Sequence, residues 1–237
     1  MEEVTARGGD PRDSTRPLTL EQATRGVVGL AHLHSAFWGR VDAHPGLSWV
    51  ESFVAWEGMG GGIAVGLKRT EETSPPEVLA LTGEQIERDV WFPYVATVNR
   101  GPQTLLHGDA HVGNTYVLPD NEVGFLDWQV LRKGNFSIDL GYFVQGALTV
   151  EDRRNGEADL IAAYHEALEL PAEQRPTRDE IWLRYRASVA HGLALWMATA
   201  SSDDWQRPEV SLPLARRYAA AFADLDTGAA ITELSTR

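Results

Sequence analysis

The sequence predicts an α+β protein that is mostly helical and carries one small β-hairpin. Three observations support this. Apolar residues recur at helical spacing along several long stretches. Ser/Thr–x–x–Glu/Gln pairs stand at the starts of those stretches, where capping boxes belong. Two β-prone runs, 115–118 and 123–126, flank Pro119-Asp120-Asn121-Glu122, which is turn chemistry.

In chain order, Thr19 and Gln22 form a capping box after Pro17. Ala23, Val27, Leu30, Ala31, His34, Phe37 and Trp38 then recur at helical spacing up to Gly39, as expected of a core-packing helix. His32 and His34 are two apart, face different ways and make poor joint ligands. Trp49, Val50, Phe53 and Val54 also have helical spacing. The run Gly58-Met59-Gly60-Gly61-Gly62, continuing to Lys68, looks like a phosphate-cradling loop but fails the motif. Arg69 follows the lysine, no G-x-G-x-x-G register fits and no β-prone run precedes it, so a flexible inter-helix connection is expected. Thr82 and Gln85 open a second helix through Ile86 and Val90, ending near Pro93. Thr104-Leu105-Leu106 is a short apolar run before the hairpin, and a helix follows Ser137. Leu160, Ile161, Tyr164 and Leu168 mark another helix. Thr177 and Glu180 cap one carrying Ile181, Tyr185, Val189, Gly192 and Trp196, and a last helix runs through Leu214, Tyr218, Phe222 and Leu225. The expected divisions are a linker over 1–18, the main lobe over 19–226 and a frayed tail over 227–237.

Composition excludes several classes. The 237 residues are 43% hydrophobic and 23% charged, ordinary for a globular protein able to bury a sizeable core. A net charge of −13 argues against nucleic acid, which needs a basic surface. It is compatible with a cationic substrate, but a plain solvated acidic surface is the favoured reading. With no cysteine there are neither disulfides nor thiolate metal sites. The longest apolar stretch, 189–200, is too short to span a bilayer and contains His191 and Gly192, so no membrane partner is expected. The acidic start Met1-Glu2-Glu3 lacks the basic region of a signal peptide, and a cytoplasmic location is expected.

The chemistry concentrates in His107-Gly108-Asp109-Ala110-His111-Val112-Gly113-Asn114 and Gly124-Phe125-Leu126-Asp127-Trp128. An aspartate, an asparagine five positions later and an aspartate ending an apolar strand stand in the order that protein kinases use for phosphoryl transfer. One aspartate can orient and deprotonate an attacking hydroxyl, while an amide oxygen and a carboxylate suit Mg²⁺. The hairpin would put Asn114 at its entrance and Asp127 at its exit, at the same end of the ribbon. The rival reading takes His107, Asp109 and His111 as one face of a strand binding a transition metal, which would make a metal-dependent hydrolase. It lacks a fourth ligand in any complementary motif and leaves Asn114 and Asp127 unexplained.

With these residues the chain resembles the aminoglycoside phosphotransferase and choline kinase superfamily of small-molecule kinases. The continuation Asp127-Trp128-Gln129 and Ser137-Ile138-Asp139-Leu140-Gly141-Tyr142-Phe143 is more similar to its ecdysteroid kinase-like branch. The resemblance runs from the first residues to about position 170. It implies a protein-kinase-like C-terminal lobe using ATP and Mg²⁺, with Asp109 as base and Asn114 and Asp127 as metal ligands. His107 and His111 would shape the catalytic loop, and Asp139 would either brace the site or cap the helix after Ser137, the structural role being favoured. By the same resemblance, residues 1–10 look like the interlobe hinge, where Glu2 and Val4 would meet adenine. The N-lobe sheet, with its glycine-rich loop and lysine, is then not expected within this chain. That raises self-association, a separately encoded N-lobe, or a non-catalytic C-lobe serving as a binding module. The acceptor would be a small hydroxylated molecule: a metabolite, an antibiotic, or something choline-like or steroid-like. Trp182, Trp196 and Trp205 are candidates for an aromatic wall around it, although tryptophans in core helices more often serve plain packing.

Overall fold

The computed structural model describes residues 3–237. It is an α+β arrangement in which helices dominate and two small antiparallel sheets carry the motif loop. After a 3₁₀ turn at Val4–Arg7, β1 (Asp10–Pro11) leads to α1 (Leu20–Phe37), which begins at the expected capping box. Next come α2 (Gly60–Arg69), α3 (Pro76–Leu79), α4 (Gly83–Gln85), a π-helical turn (Ile86–Trp91) and α5 (Phe92–Val98). The strands are β2 (Thr104–Leu106), β3 (Thr115–Val117), β4 (Val123–Phe125) and β5 (Arg132–Gly134). The chain finishes with α6 (Ser137–Ala147), α7 (Val150–Ala167), α8 (Arg178–Thr199), α9 (Pro208–Asp224) and α10 (Thr227–Thr236). No described helix is long and apolar enough to cross a membrane.

The organising element is α8. It packs against α2, α6, α9 and α10, and it is buried on nearly every side. A helix surrounded in this way must be apolar or small all round, and Ala187, Ser188, Ala190, Gly192, Ala194 and Ala198 let its neighbours approach closely.

Four local expectations are corrected. The glycine run is not a flexible connection, because residues 60–69 form α2. The Glu87 carboxylate accepts the Met59 and Gly60 N–H groups at 2.8 and 2.9 Å, satisfying the helix start and its positive dipole end. Gly66 is then required by packing, since a Cβ there would lie 2.0 Å from the Met197 carbonyl oxygen on α8. Tertiary contact outweighs glycine's cost of about 1 kcal/mol in a helix.

The helix opened by Thr82 does not stop near Pro93. The preceding turn widens so that the Phe92 N–H reaches Glu87, five residues back. This takes up the missing donor and ring clash of the proline, and the helix continues to Val98. Residues 49–54 are not helical: Trp49 closes a turn, and Ser52 makes a parallel bridge to Lys133. Phe53 N–H donates to Lys133 O and Lys133 N–H to Glu51 O, both at 2.9 Å, laying the segment beside β5. Val50 and Phe53 are buried there while Trp49 and Val54 are exposed. Finally, the tail is not frayed: α10 buries Ala230, Ile231 and Leu234, and the Thr227 hydroxyl donates to Arg186 O.

His191, on α8, sits in an aromatic box. Its ring lies 5.4 Å from Phe53, 5.4 Å from Trp91 and 4.5 Å from Tyr142. Neither ring nitrogen has a hydrogen-bond partner among the described residues. Burial lowers its pKa from 6.5 to about 3. The unfolded chain therefore binds a proton below pH 6.5 that the folded chain refuses until about pH 3, so stability falls as pH drops through that window. The loss from this residue should reach about 2 kcal/mol at pH 5. His191→Phe should remove that component and flatten the acid limb of urea-melt stability. If wild type and variant lose equal stability between pH 7 and pH 5, the acid sensitivity has another source.

Candidate active site

The motif loop is held between the two sheets. β2 enters it and pairs antiparallel with β5, Thr104 opposite Gly134 and Leu106 opposite Arg132. The loop exits through a 3₁₀ turn at Val112–Asn114 into β3, which pairs with β4 and, on its other edge, with β1. Gly108 has φ +85°, and a Cβ there would lie 2.0 Å from the Val130 carbonyl oxygen, so only glycine fits the bend beside Asp109.

Asp139 braces the loop from below. Its carboxylate accepts the His107 N–H at 2.7 Å and the Gly108 N–H at 3.0 Å. The His34 Nε2 lies 3.3 Å from the same carboxylate, and His34 Nδ1 meets the Tyr164 hydroxyl at 2.7 Å. Burial alone would raise the Asp139 pKa. The hydrogen bond and charge of His34, the charge of His107 and the Gly108 N–H together hold it below 3.8. Capping is therefore not its role. The residue before α6 is Phe136, which makes no side-chain cap, and the Ser137 N–H is taken by Asn135 Oδ1 at 3.0 Å.

The two motif histidines differ. His107 has both ring nitrogens engaged: Nε2 donates to Leu126 O at 2.7 Å and Nδ1 accepts the Asp109 N–H at 3.2 Å. His111 accepts the Gly113 N–H on Nδ1 at 2.9 Å, and its Nε2 stands 3.7 Å from Asp109 Oδ2. Burial first, with a smaller contribution from His107, lowers the His111 pKa below 6.5 despite Asp109 and Asp127 nearby. The metal-triad reading fails on this geometry. His107 has no free lone pair to give, and no three His, Cys, Asp or Glu side chains among the described residues gather as a metal site.

Asn114 donates from Nδ2 to both the Asp109 carbonyl oxygen (2.9 Å) and Asp109 Oδ2 (3.0 Å). Its own carbonyl accepts the Leu126 N–H at 2.7 Å, closing the hairpin and bringing Asp127 to the same end. Asp127 adopts a left-handed conformation, φ 59° and ψ 61°, which is uncommon for a residue with a side chain. One of its oxygens takes a 3.2 Å bond from Gln129 Nε2. Asn114 Oδ1 and the Asp127 carboxylate are thus the hard oxygen donors left over at this end, a set that fits a cation completed by phosphate oxygens.

Asp109 opens onto a cavity of about 320 Å³. Its walls come from the motif loop (Gly108, His111), from a 3₁₀ turn at Trp128–Val130 (Val130), from α6 (Tyr142), from the end of α8 (Leu195, Trp196, Ala198, Thr199) and from Trp56 and Trp205. Of the three tryptophans marked in the sequence, Trp196 and Trp205 line it. Trp182 instead packs against Tyr185, with ring centroids 5.5 Å apart. Trp56 carried no sequence signal, and Tyr142 stood out only within the Ser137–Phe143 stretch and not as a cavity residue, because their place depends on how residues 49–58 and α6 pack. Val4 belongs to the first 3₁₀ turn, where its carbonyl accepts the Gly9 N–H at 2.9 Å, and Glu2 lies outside the described residues.

Compared with known proteins, residues 16–181 match the phosphotransferase enzyme family. No curated protein matches the sequence. Among solved structures the chain is similar to the choline kinase LicA from Streptococcus pneumoniae, at 11% identity and a TM-score of 0.48, covering 94% of this chain and 73% of that one. A structure of LicA in complex with AMP is similar at 12% identity and a TM-score of 0.47, with 92% of this chain and 66% of that one covered.

Proposed function

Because the chain belongs to the phosphotransferase enzyme family, we propose that it is the catalytic lobe of an ATP- and Mg²⁺-dependent kinase that phosphorylates a small hydroxylated molecule. The observation that carries this reading is the convergence of Asp109, Asn114 and Asp127 at one hairpin end, with Asp109 facing a cavity. Asp109 takes the proton of the acceptor hydroxyl as that oxygen bonds to the terminal phosphorus of ATP, and the bond from this phosphorus to the bridging oxygen breaks, so that ADP leaves with the electron pair. Asn114 steadies the base through its 3.0 Å bond, and its Oδ1, together with the Asp127 carboxylate, would hold the metal. Bound Mg²⁺ would neutralise charge on the phosphates.

The cavity narrows the acceptor. Asp109 is the sole carboxylate among the lining residues, and three tryptophans supply flat apolar surface. A polycationic aminoglycoside would leave most of its charges unmatched there. A flat apolar alcohol or a singly charged cation such as a choline-like molecule suits it better. Within the superfamily we favour the ecdysteroid kinase-like branch, on the Asp127-Trp128-Gln129 and Asp139-Leu140-Gly141 stretches.

The phosphate-covering groups are proposed to come from outside residues 3–237, from an N-lobe or a partner. The lysines are committed elsewhere, Lys68 to Glu71 and Lys133 to Asp42, and the Gly60–Gly62 run is inside a helix. ADP release is the assay, run across a panel of alcohols with and without an N-lobe fused or added in trans. Low turnover alone and restored turnover with the lobe are expected; substantial, equal turnover by both contradicts the division of the site.

The metal assignment has its own test. Magnesium should bind weakly to the protein alone and better with ATP, since phosphate oxygens complete the ligand set. Asp127→Ala should abolish the nucleotide-dependent part in titration calorimetry. Nucleotide-dependent binding that survives this substitution removes Asp127 from the metal site.

A further inference from the structure

We infer that His111 is an acceptor-binding residue, whose Nε2–H donates to the acceptor's hydroxyl oxygen while Asp109 receives that hydroxyl's proton. The inference rests on the phosphotransfer reading of the cavity and adds a recognition group to it. Sequence reasoning leaves His111 beside His107 as loop support, but the two rings are used differently. His107 spends both nitrogens on the loop itself. His111 spends only Nδ1, which accepts the Gly113 N–H at 2.9 Å.

A backbone N–H can only donate, so the proton of a neutral His111 ring sits on Nε2. That N–H stands 3.7 Å from Asp109 Oδ2, too far for a direct hydrogen bond. The gap suits an intervening oxygen: one placed about 2.8 Å from each atom spans it, accepting from the imidazole and donating to the carboxylate. The ring is held edge-on by Trp196 at 5.2 Å and Tyr142 at 5.8 Å, both lining the same cavity, so the donor direction is preset.

Conservative variants separate the two nitrogens. In His111→Asn the amide oxygen can replace Nδ1 and keep the Gly113 bond, but nothing replaces Nε2–H. In His111→Gln the amide NH₂ reaches the Nε2 position. The probes are benzyl alcohol and toluene, alike in shape and differing by the hydroxyl, titrated into the full chain and read by quenching of the cavity tryptophans. Wild type should prefer the alcohol, and the His111 bond should supply about 5-fold of that preference, the worth of roughly one net hydrogen bond beside the one Asp109 accepts. That 5-fold share should vanish in His111→Asn and persist in His111→Gln, with melting temperatures confirming that all three fold. ¹⁵N-labelled histidine should show the Nε2–H tautomer in wild type. A preference missing from wild type, kept undiminished by His111→Asn, or reduced equally in both variants overturns the assignment. ATP and magnesium are absent from the titration, so a failure of phosphoryl transfer shows only in the ADP assay.

Discussion

Asp109→Asn is expected to lower kcat for acceptor phosphorylation by about 10²–10⁴-fold, the usual scale for removing a general base. The substitution keeps shape and nearly keeps volume, and the Asp109 carbonyl still accepts from Asn114 Nδ2. What it removes is the ability to take a proton. The Asp109 side chain is about one-third exposed and bears no part of the core, so thermal stability should change little. The measurement is ADP release in the presence of the N-lobe, with acceptor and ATP varied separately. KM for ATP should hold while kcat falls. Near-full activity with any acceptor would remove Asp109 from the role of base.

Asp139→Ala should act on stability instead. Three buried donors converge on this carboxylate: the His107 and Gly108 N–H groups and the His34 ring. Removing the acceptor strands them in a site with no described solvent exposure, at a cost of about 3–5 kcal/mol. For a chain of this length that is on the order of a 10 °C fall in Tm. Asp139→Asn keeps one acceptor oxygen and should cost less.

The pH dependence separates this residue from His191. The pKa of Asp139 is lowered when folded, so its stabilisation is complete above about pH 3.8 and lost only as pH falls through the still lower folded value. His191 acts between pH 6.5 and about 3. Urea melts of the Asp139 variants should therefore run parallel to wild type between pH 7 and pH 5, while those of His191→Phe should not. A stability of Asp139→Ala within about 1 kcal/mol of wild type at pH 7 would show that the loop does not depend on this brace.

Much of this was legible because it is written in local terms. The capping boxes at Thr19 and Thr82 and the cap at Thr177 form where the spacing places them. The hairpin of β3 and β4 follows from turn residues between two β-prone runs. Asp109, Asn114 and Asp127 could be picked out by type and spacing. Each of these signals lies within a few residues of chain, where backbone sterics and short-range hydrogen bonds decide the outcome.

What spacing could not supply was decided by contacts between distant segments. The glycines of α2 are poor helix formers until Glu87 caps them and Gly66 meets α8. Asp139 reads as either a brace or a helix cap until the chain folds back to place His34, His107 and Gly108 around it. His107 and His111 look equivalent in the motif and separate only once Leu126 claims one ring and the cavity opens beside the other. The sequence by itself thus determined which residue types bear the chemistry and the local elements that hold them. Tertiary structure alone decided which polar atoms are already spent within the protein and which remain for a ligand, because a hydrogen-bonding group is used up by whatever neighbour packing brings to it.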